Sequence, residues 1–156
     1  APYVTSILVL WMSASGETSS CQYGKKFNEV TDRMSEEDYQ RGMSVRRQVM
    51  GDEFVDRSMA AATAFTQPVQ DYINENCWGS VWARDALPLK TRSMITIAVL
   101  AALKAPAELK GHVRGALRNG CTVEEIREVL LHTAPYIGAP ALQEAFRAAK
   151  EIVEDQ

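Results

Sequence analysis

From Tyr39 onward, apolar residues recur at three- and four-residue intervals, the spacing of one helix face. Tyr39, Met43, Val45 and Val49 form the first stripe. Ser35-Glu36-Glu37-Asp38 ahead of it has the form of a capping box, and Gly51 sits where a C′ glycine would end the helix. Gly42 lies inside this helix, where glycine costs about 1 kcal/mol relative to alanine, and it predicts close helix contact. Phe54, Val55, Met59 and Ala62 mark a second helix from Asp52 to about Phe65, broken by Thr66-Gln67-Pro68. A third carries Val69, Tyr72, Ile73 and Cys77 and ends in Trp78-Gly79-Ser80-Val81-Trp82.

Pro88 opens a long helix that runs nearly uncharged from Met94 and ends near Lys104. Pro106 starts the next, with Leu109, His112, Val113, Ala116 and Leu117, and Asn119-Gly120 stops it. Thr122-Val123-Glu124-Glu125 is a full capping box before Ile126, Val129, Leu130 and Thr133. Pro135 falls inside that pattern and predicts a kink that opens space near His132, Tyr136 and Gly138. Pro140 restarts a last helix with Leu142, Ala145, Phe146, Ala149, Ile152 and Val153. The pattern is all-α with short loops and no internal repeat.

Residues 1–34 do not follow it. Val4 to Met12 is apolar and β-branched, either a short strand or an apolar arm laid on a neighbour; Ser13 to Ser20 reads as a linker. The expected division is an N-terminal extension, 1–34, and a helical domain, 35–156, with no catalytic role for the extension.

Charge narrows the function. A net charge of −3 argues against a dedicated nucleic-acid binder, yet leaves room for a local basic pocket that takes an anionic metabolite. Three cysteines without a Cys-x-x-Cys do not form a disulfide framework or a thiol redox centre. With two histidines, they make no convincing metal site, so no metal is expected. Cysteine usage fits a cytoplasmic protein. Met94 to Leu103 is too short to span a bilayer, so no membrane partner is expected.

The strongest chemical signal is Glu108 and His112, four residues apart and hence on one helix face. They are either an acid–histidine pair for proton transfer or a surface histidine with a supporting carboxylate. Trp78 and Trp82 form either a packed corner or a pocket wall. Arg92 stands in a helix first turn, where the dipole disfavours a cation, which points to a carboxylate partner in the protein or in a ligand. Arg41, Arg46 and Arg47 read as solvated surface, with one of them able to reach an anion.

Several separated segments together resemble a known family. They are Arg41-Gly42-Met43-Ser44-Val45-Arg46 with Val49-Met50-Gly51, Phe65-Thr66-Gln67-Pro68, Trp78 to Arg84, Lys90-Thr91-Arg92-Ser93, Glu108-Leu109-Lys110-Gly111-His112, and Leu130-Leu131-His132 with Tyr136-Ile137-Gly138-Ala139-Pro140. From about Ser35 to Val153 the chain resembles the carboxymuconolactone decarboxylase family, within the AhpD-like superfamily of small helical bundles. Thiol peroxidases of that superfamily carry Cys-x-x-Cys-x-x-x-His. The matching positions here are Ala105, Glu108 and His112, and Ser93 stands where their upstream acid would be, so peroxidase activity is rejected.

The resemblance implies decarboxylation of 4-carboxymuconolactone to β-ketoadipate enol-lactone and CO2, in the β-ketoadipate pathway of aromatic catabolism, without a cofactor. It implies a carboxylated lactone as ligand and a homo-oligomer, a hexamer or else a trimer. Within it, His112 supplies the proton or stabilises the dienolate, Glu108 sets its tautomer, and His132 is the second candidate. Arg46, Arg84 and Arg92 are the carboxylate-binding candidates, and Trp78, Trp82 and Tyr136 the pocket lining. Two alternatives stand beside this: a related decarboxylase or lactone isomerase with another substrate, and a non-catalytic helical assembly protein.

Overall fold

A computed structural model describes residues 36–154, and their regular structure is entirely helical. Helix α1 covers residues 36–50. It is followed by α2 (Asp52–Ala60) and α3 (Gln67–Tyr72), which runs directly into a π-helical segment, Ile73–Trp82. Then come α4 (Leu89–Ala102), α5 (Pro106–Arg118) and α6 (Val123–Val153). The Val4–Met12 segment and Ser35 of the first expected capping box lie outside the described residues.

The apolar stripes sort into two clusters. Helices α4, α5 and α6 close around Ile97, Leu109, Val113, Ile126, Leu130 and Ile152. Val49, Met50, Val55 and Trp78 form the second cluster, with Met43, Phe54, Ile73, Trp82 and Leu89 packed against it. Each helix end that frames this arrangement has a local cause. The Thr122 hydroxyl accepts from the Glu125 N–H at 3.1 Å while the Glu125 carboxylate accepts from the Thr122 N–H at 2.8 Å, completing the capping box. Lys90 pairs with Glu125 at 2.7 Å and joins the start of α4 to that of α6. At the end of α5, Gly120 takes φ 84°; its N–H donates to the Leu117 carbonyl and that of Cys121 to Ala116, a Schellman closure. Helix α4 ends with the same pair of bonds, from Lys104 to Ala101 and Ala105 to Leu100, although Lys104 must adopt φ 54° to make them.

Three features depart from the sequence pattern. Helix α2 stops at Ala60 rather than near Phe65. Thr63 and Thr66 capture their own backbone, with the Thr63 N–H donating to the Thr66 hydroxyl at 2.9 Å, and Phe65 is 93% exposed, so no packing holds a longer helix there. The kink expected at Pro135 lies at Gly138 instead, with φ 76° and ψ 164°. Pro135 forfeits one donor but can stay helical, whereas only glycine adopts that φ without strain, so the chain turns where it is free to. The third departure is the π segment. Its bonds span five residues, as in Ala83 N–H to Trp78 carbonyl at 2.9 Å.

This segment crosses α1 backbone to backbone. A Cβ on Gly42 would stand 1.9 Å from the Asn74 carbonyl oxygen, and one on Gly79 would stand 2.1 Å from that of Asp38. The close contact that Gly42 predicts is therefore present, and Gly79 is its counterpart. Gly42→Ala should destabilise the fold by roughly 3 kcal/mol, since backbone must move to admit the methyl group. Gly120→Ala, with nothing within 4 Å of its Cβ position but a left-handed φ, should cost about 1 kcal/mol. Urea denaturation of the two variants checks the order; equal losses would refute the close-contact account.

A histidine against two tryptophans at the seam of the clusters

His112 lies where the two clusters meet. Its neighbours on α5, Leu109 and Val113, face the first cluster, while its ring faces the tryptophans of the second. The π segment presents Trp78 and Trp82 together, with ring centroids 4.8 Å apart. The His112 ring is nearly parallel to Trp78, at 7° and 6.2 Å between centroids, and is tilted 30° from Trp82 at 6.0 Å. Trp78 is 5% exposed and Trp82 half-buried, so the pair is at once a packed corner and the wall against the histidine. Helix α1 sets the distance between the two sides. Val49 and Met50 pack where Gly115 and Gly111 leave no side chain, and Arg118 donates to the Val49 carbonyl at 3.1 Å.

Two buried polar side-chain atoms have no hydrogen-bond partner among the described residues: His112 Nδ1 and Arg92 Nε. Leaving such groups unpaired costs roughly 1–3 kcal/mol each. Arg92 donates from Nη2 to the Arg84 carbonyl at 2.8 Å, so its partner within the protein is a backbone oxygen and not a carboxylate. The Arg84 side chain itself is exposed.

Glu108 is exposed and makes no hydrogen bond to His112. The expected fixing of the tautomer by Glu108 is thus absent here; the carboxylate acts only through space. Desolvation pushes the His112 pKa down from 6.5 to about 4, against the smaller opposing effect of the Glu108 charge. The imidazole is therefore neutral near pH 7.

The other expected site residues lie apart. His132 and Tyr136 are exposed on α6, with ring centroids 6.0 Å from each other, and neither makes a ring contact with the tryptophan corner. Tyr136, at 78% exposure, lines no enclosed pocket within one chain. Arg46 is not surface but 6% exposed, and is fully engaged with neutral partners. Ser93 is buried and accepts a hydrogen bond from Asn119 at 2.9 Å, tying α4 to α5. Asn74, wholly buried under Arg46, was not a candidate from sequence; only the π register brings it inward. A cleft of about 420 Å³ runs past Met50, Gly111, Arg114 and Arg118, and neither His112 nor the tryptophan pair lines it. Among the described residues no group of His, Cys, Asp and Glu is arranged to hold a metal ion, and no helix is long and apolar enough to cross a membrane.

The profile of the carboxymuconolactone decarboxylase family matches residues 67–151. A 4-carboxymuconolactone decarboxylase from Acinetobacter baylyi is 42% identical over 77% of this chain and 90% of its own length. A nitrosuccinic acid decarboxylase from Metarhizium robertsii is 42% identical over 75% of this chain and 82% of its own. An uncharacterized 15.0 kDa protein from Paracoccus denitrificans is 33% identical over 53% and 63% respectively. The chain belongs to the carboxymuconolactone decarboxylase family, and its helical architecture is that of the AhpD-like proteins.

The buried neutral histidine has a thermodynamic consequence. Its pKa is lower folded than unfolded, so its contribution is intact above pH 6.5 and is lost as pH falls towards about 4, where the unfolded chain binds a proton that the folded one refuses. The full loss is of order 3 kcal/mol. His112→Met removes it. Urea midpoints at about pH 7 and about pH 4.5 should show wild type losing more stability than the variant over that interval. Parallel losses would mean that His112 titrates normally.

Proposed function

We propose that the chain is a cofactor-independent decarboxylase that converts 4-carboxymuconolactone to β-ketoadipate enol-lactone and CO2. The observation that carries the reading is a neutral histidine with an unpaired ring nitrogen, held against two tryptophans in a chain 42% identical to an enzyme of that name. The reaction breaks the bond between the ring carbon and its carboxylate. The electron pair passes through the ring double bond to the lactone carbonyl, giving a dienolate, and a proton then adds at the carbon next to that carbonyl. A donor aimed at the developing oxyanion contributes most in such a step. A neutral imidazole N–H can serve as that donor, and His112 is in that state near pH 7. As negative charge builds on the dienolate, the affinity of a nearby imidazole for a proton rises; His112 then takes up a proton from solvent and passes it to that carbon, returning to the neutral ring, which favours it over exposed His132 for both roles.

Arg92 is the carboxylate-binding group we favour, because its Nε–H has no partner; exposed Arg84 is the second. Trp78 and Trp82 would cover the lactone ring and keep water from the dienolate. Glu108 modulates His112 by charge alone.

A second reading has its own observation: the equal identity to a nitrosuccinic acid decarboxylase. A nitro group next to a carboxylate accepts the electron pair as a nitronate, just as the lactone accepts it as a dienolate. Both acids share a carboxylate beside an electron sink, and the same donor would serve either. Supplying each acid separately and measuring CO2 decides between them. Release from neither would leave a related decarboxylase or lactone isomerase with another substrate and the non-catalytic assembly protein.

His112→Asn keeps a hydrogen-bonding group but no acid or base near pH 7. With fold and mass unchanged, kcat should fall by roughly 10² or more, and Glu108→Gln should lower it less. Turnover close to wild type in His112→Asn would pass the role to His132. We also propose a homohexamer, with a trimer as the lesser assembly. Ile95, Val99 and Leu103 recur every four residues along α4 and are 49%, 49% and 69% exposed, an apolar stripe that a second copy would cover. Light scattering at low micromolar concentration should give the hexamer mass; a clean monomer would sink the proposal.

A further inference from the structure

We propose that Arg46 is a positioning residue, whose guanidinium clamps the π segment onto α1 and so fixes Trp78 and Trp82 against His112. Nη1 donates to the Asn74 side-chain oxygen at 2.8 Å and to that of Gln70 at 3.1 Å, and lies 3.9 Å from the Met59 sulfur. Nη2 donates to the Ser58 hydroxyl at 3.1 Å. These partners come from α2, α3 and the π segment, and none is a carboxylate. A buried cation without an anion is costly, so the fork of neutral acceptors must hold it closely. A lysine in its place would keep the charge but lose the planar fork.

What the clamp grips is specific. Asn74 is fully buried and sits four residues before Trp78 on the π segment. Gly42, one turn before Arg46 on α1, lies against the backbone carbonyl of the same Asn74. Thus α1 holds this residue by its backbone and by its side chain. Long π segments are rare and depend on tertiary support. Further along the segment, Arg41 donates to the Gly79 carbonyl at 3.3 Å and pairs with Asp38. Released from Asn74, the segment can relax, and the two indoles then leave the His112 ring.

A merely structural arginine would move stability alone. Removing the guanidinium leaves the buried Asn74 oxygen unpaired and so costs stability in either case; the two roles are therefore told apart by the geometry of the tryptophan pair. The direct readout is the exciton couplet in circular dichroism from the Trp78–Trp82 pair; Trp78→Phe identifies it. Arg46→Lys and Arg46→Met, at unchanged oligomer mass, should lose about half or more of the couplet, and kcat on the active acid should fall by about tenfold to a hundredfold. Gln70→Ala removes one acceptor without touching the guanidinium and should shift the couplet in the same direction by less; if the Arg46 variants do not fold, it decides the matter. An intact couplet overturns the proposal, whether KM rises, which would make Arg46 a substrate contact, or only the melting temperature falls. The kinetic part rests on the decarboxylase reading. If wild type releases no CO2 from either acid, that reading fails while the couplet still tests the clamp.

Discussion

The approach of α1 to the π segment, backbone against backbone at Gly42 and Gly79, is the constraint on which the rest depends. No side chain intervenes, so the contact cannot be adjusted by rotamers. It places Val49 and Met50 at the other end of the same helix, where they fill the space above Gly111 and Gly115. One helix therefore touches both walls of the seam. The separation between the tryptophan corner and the helix of His112 follows from it and not from contacts at the seam itself.

Burial sets the state of the histidine. Two apolar clusters meet at an imidazole that burial keeps neutral. In water this ring would be partly protonated at mildly acid pH and would compete for solvent. Here it presents an unpaired nitrogen in an environment where hydrogen bonds to developing charge are strong. Two arginines near these elements use their donors differently. Arg92 leaves one N–H free beside a backbone anchor, while Arg46 spends its donors on neutral oxygens. Arginines that look alike in the sequence thus differ in whether a buried donor is left unpaired.

Much of the bundle is legible in the sequence because local rules govern it. The capping box at Thr122, the glycine stop at Gly120 and the prolines at 88, 106 and 140 act within a turn or two of the chain. The features that escape the sequence depend on partners far away. Arg46 reads as surface because its amphipathic position does not reveal Asn74 and Gln70, which lie 28 and 24 residues on. The bend at Gly138 is missed because proline is the louder signal, although glycine alone has the necessary φ. The π register has no periodic signature in ten residues. Of the expected site, His112 and the two tryptophans lie together, a contact that the sequence does not give, and the expected bond from Glu108 is absent. Helix spacing puts two residues on one face without saying that they touch.

The π segment also makes chain length a functional variable. A π turn holds about one residue more than an α turn, so the segment stores extra length that an ordinary helix would shed. Gain of one further residue between Ile73 and Trp78 would find no α turn left there to widen and would rotate the remainder of the segment by about a quarter turn. Gly79 would then no longer meet Asp38, and the indoles would sweep away from α5. Substitutions along this stretch alter contacts one at a time, but a change of length by a single residue rewrites the alignment of the whole corner. The number of residues between α3 and α4 thus sets the tryptophan corner as much as their identity does.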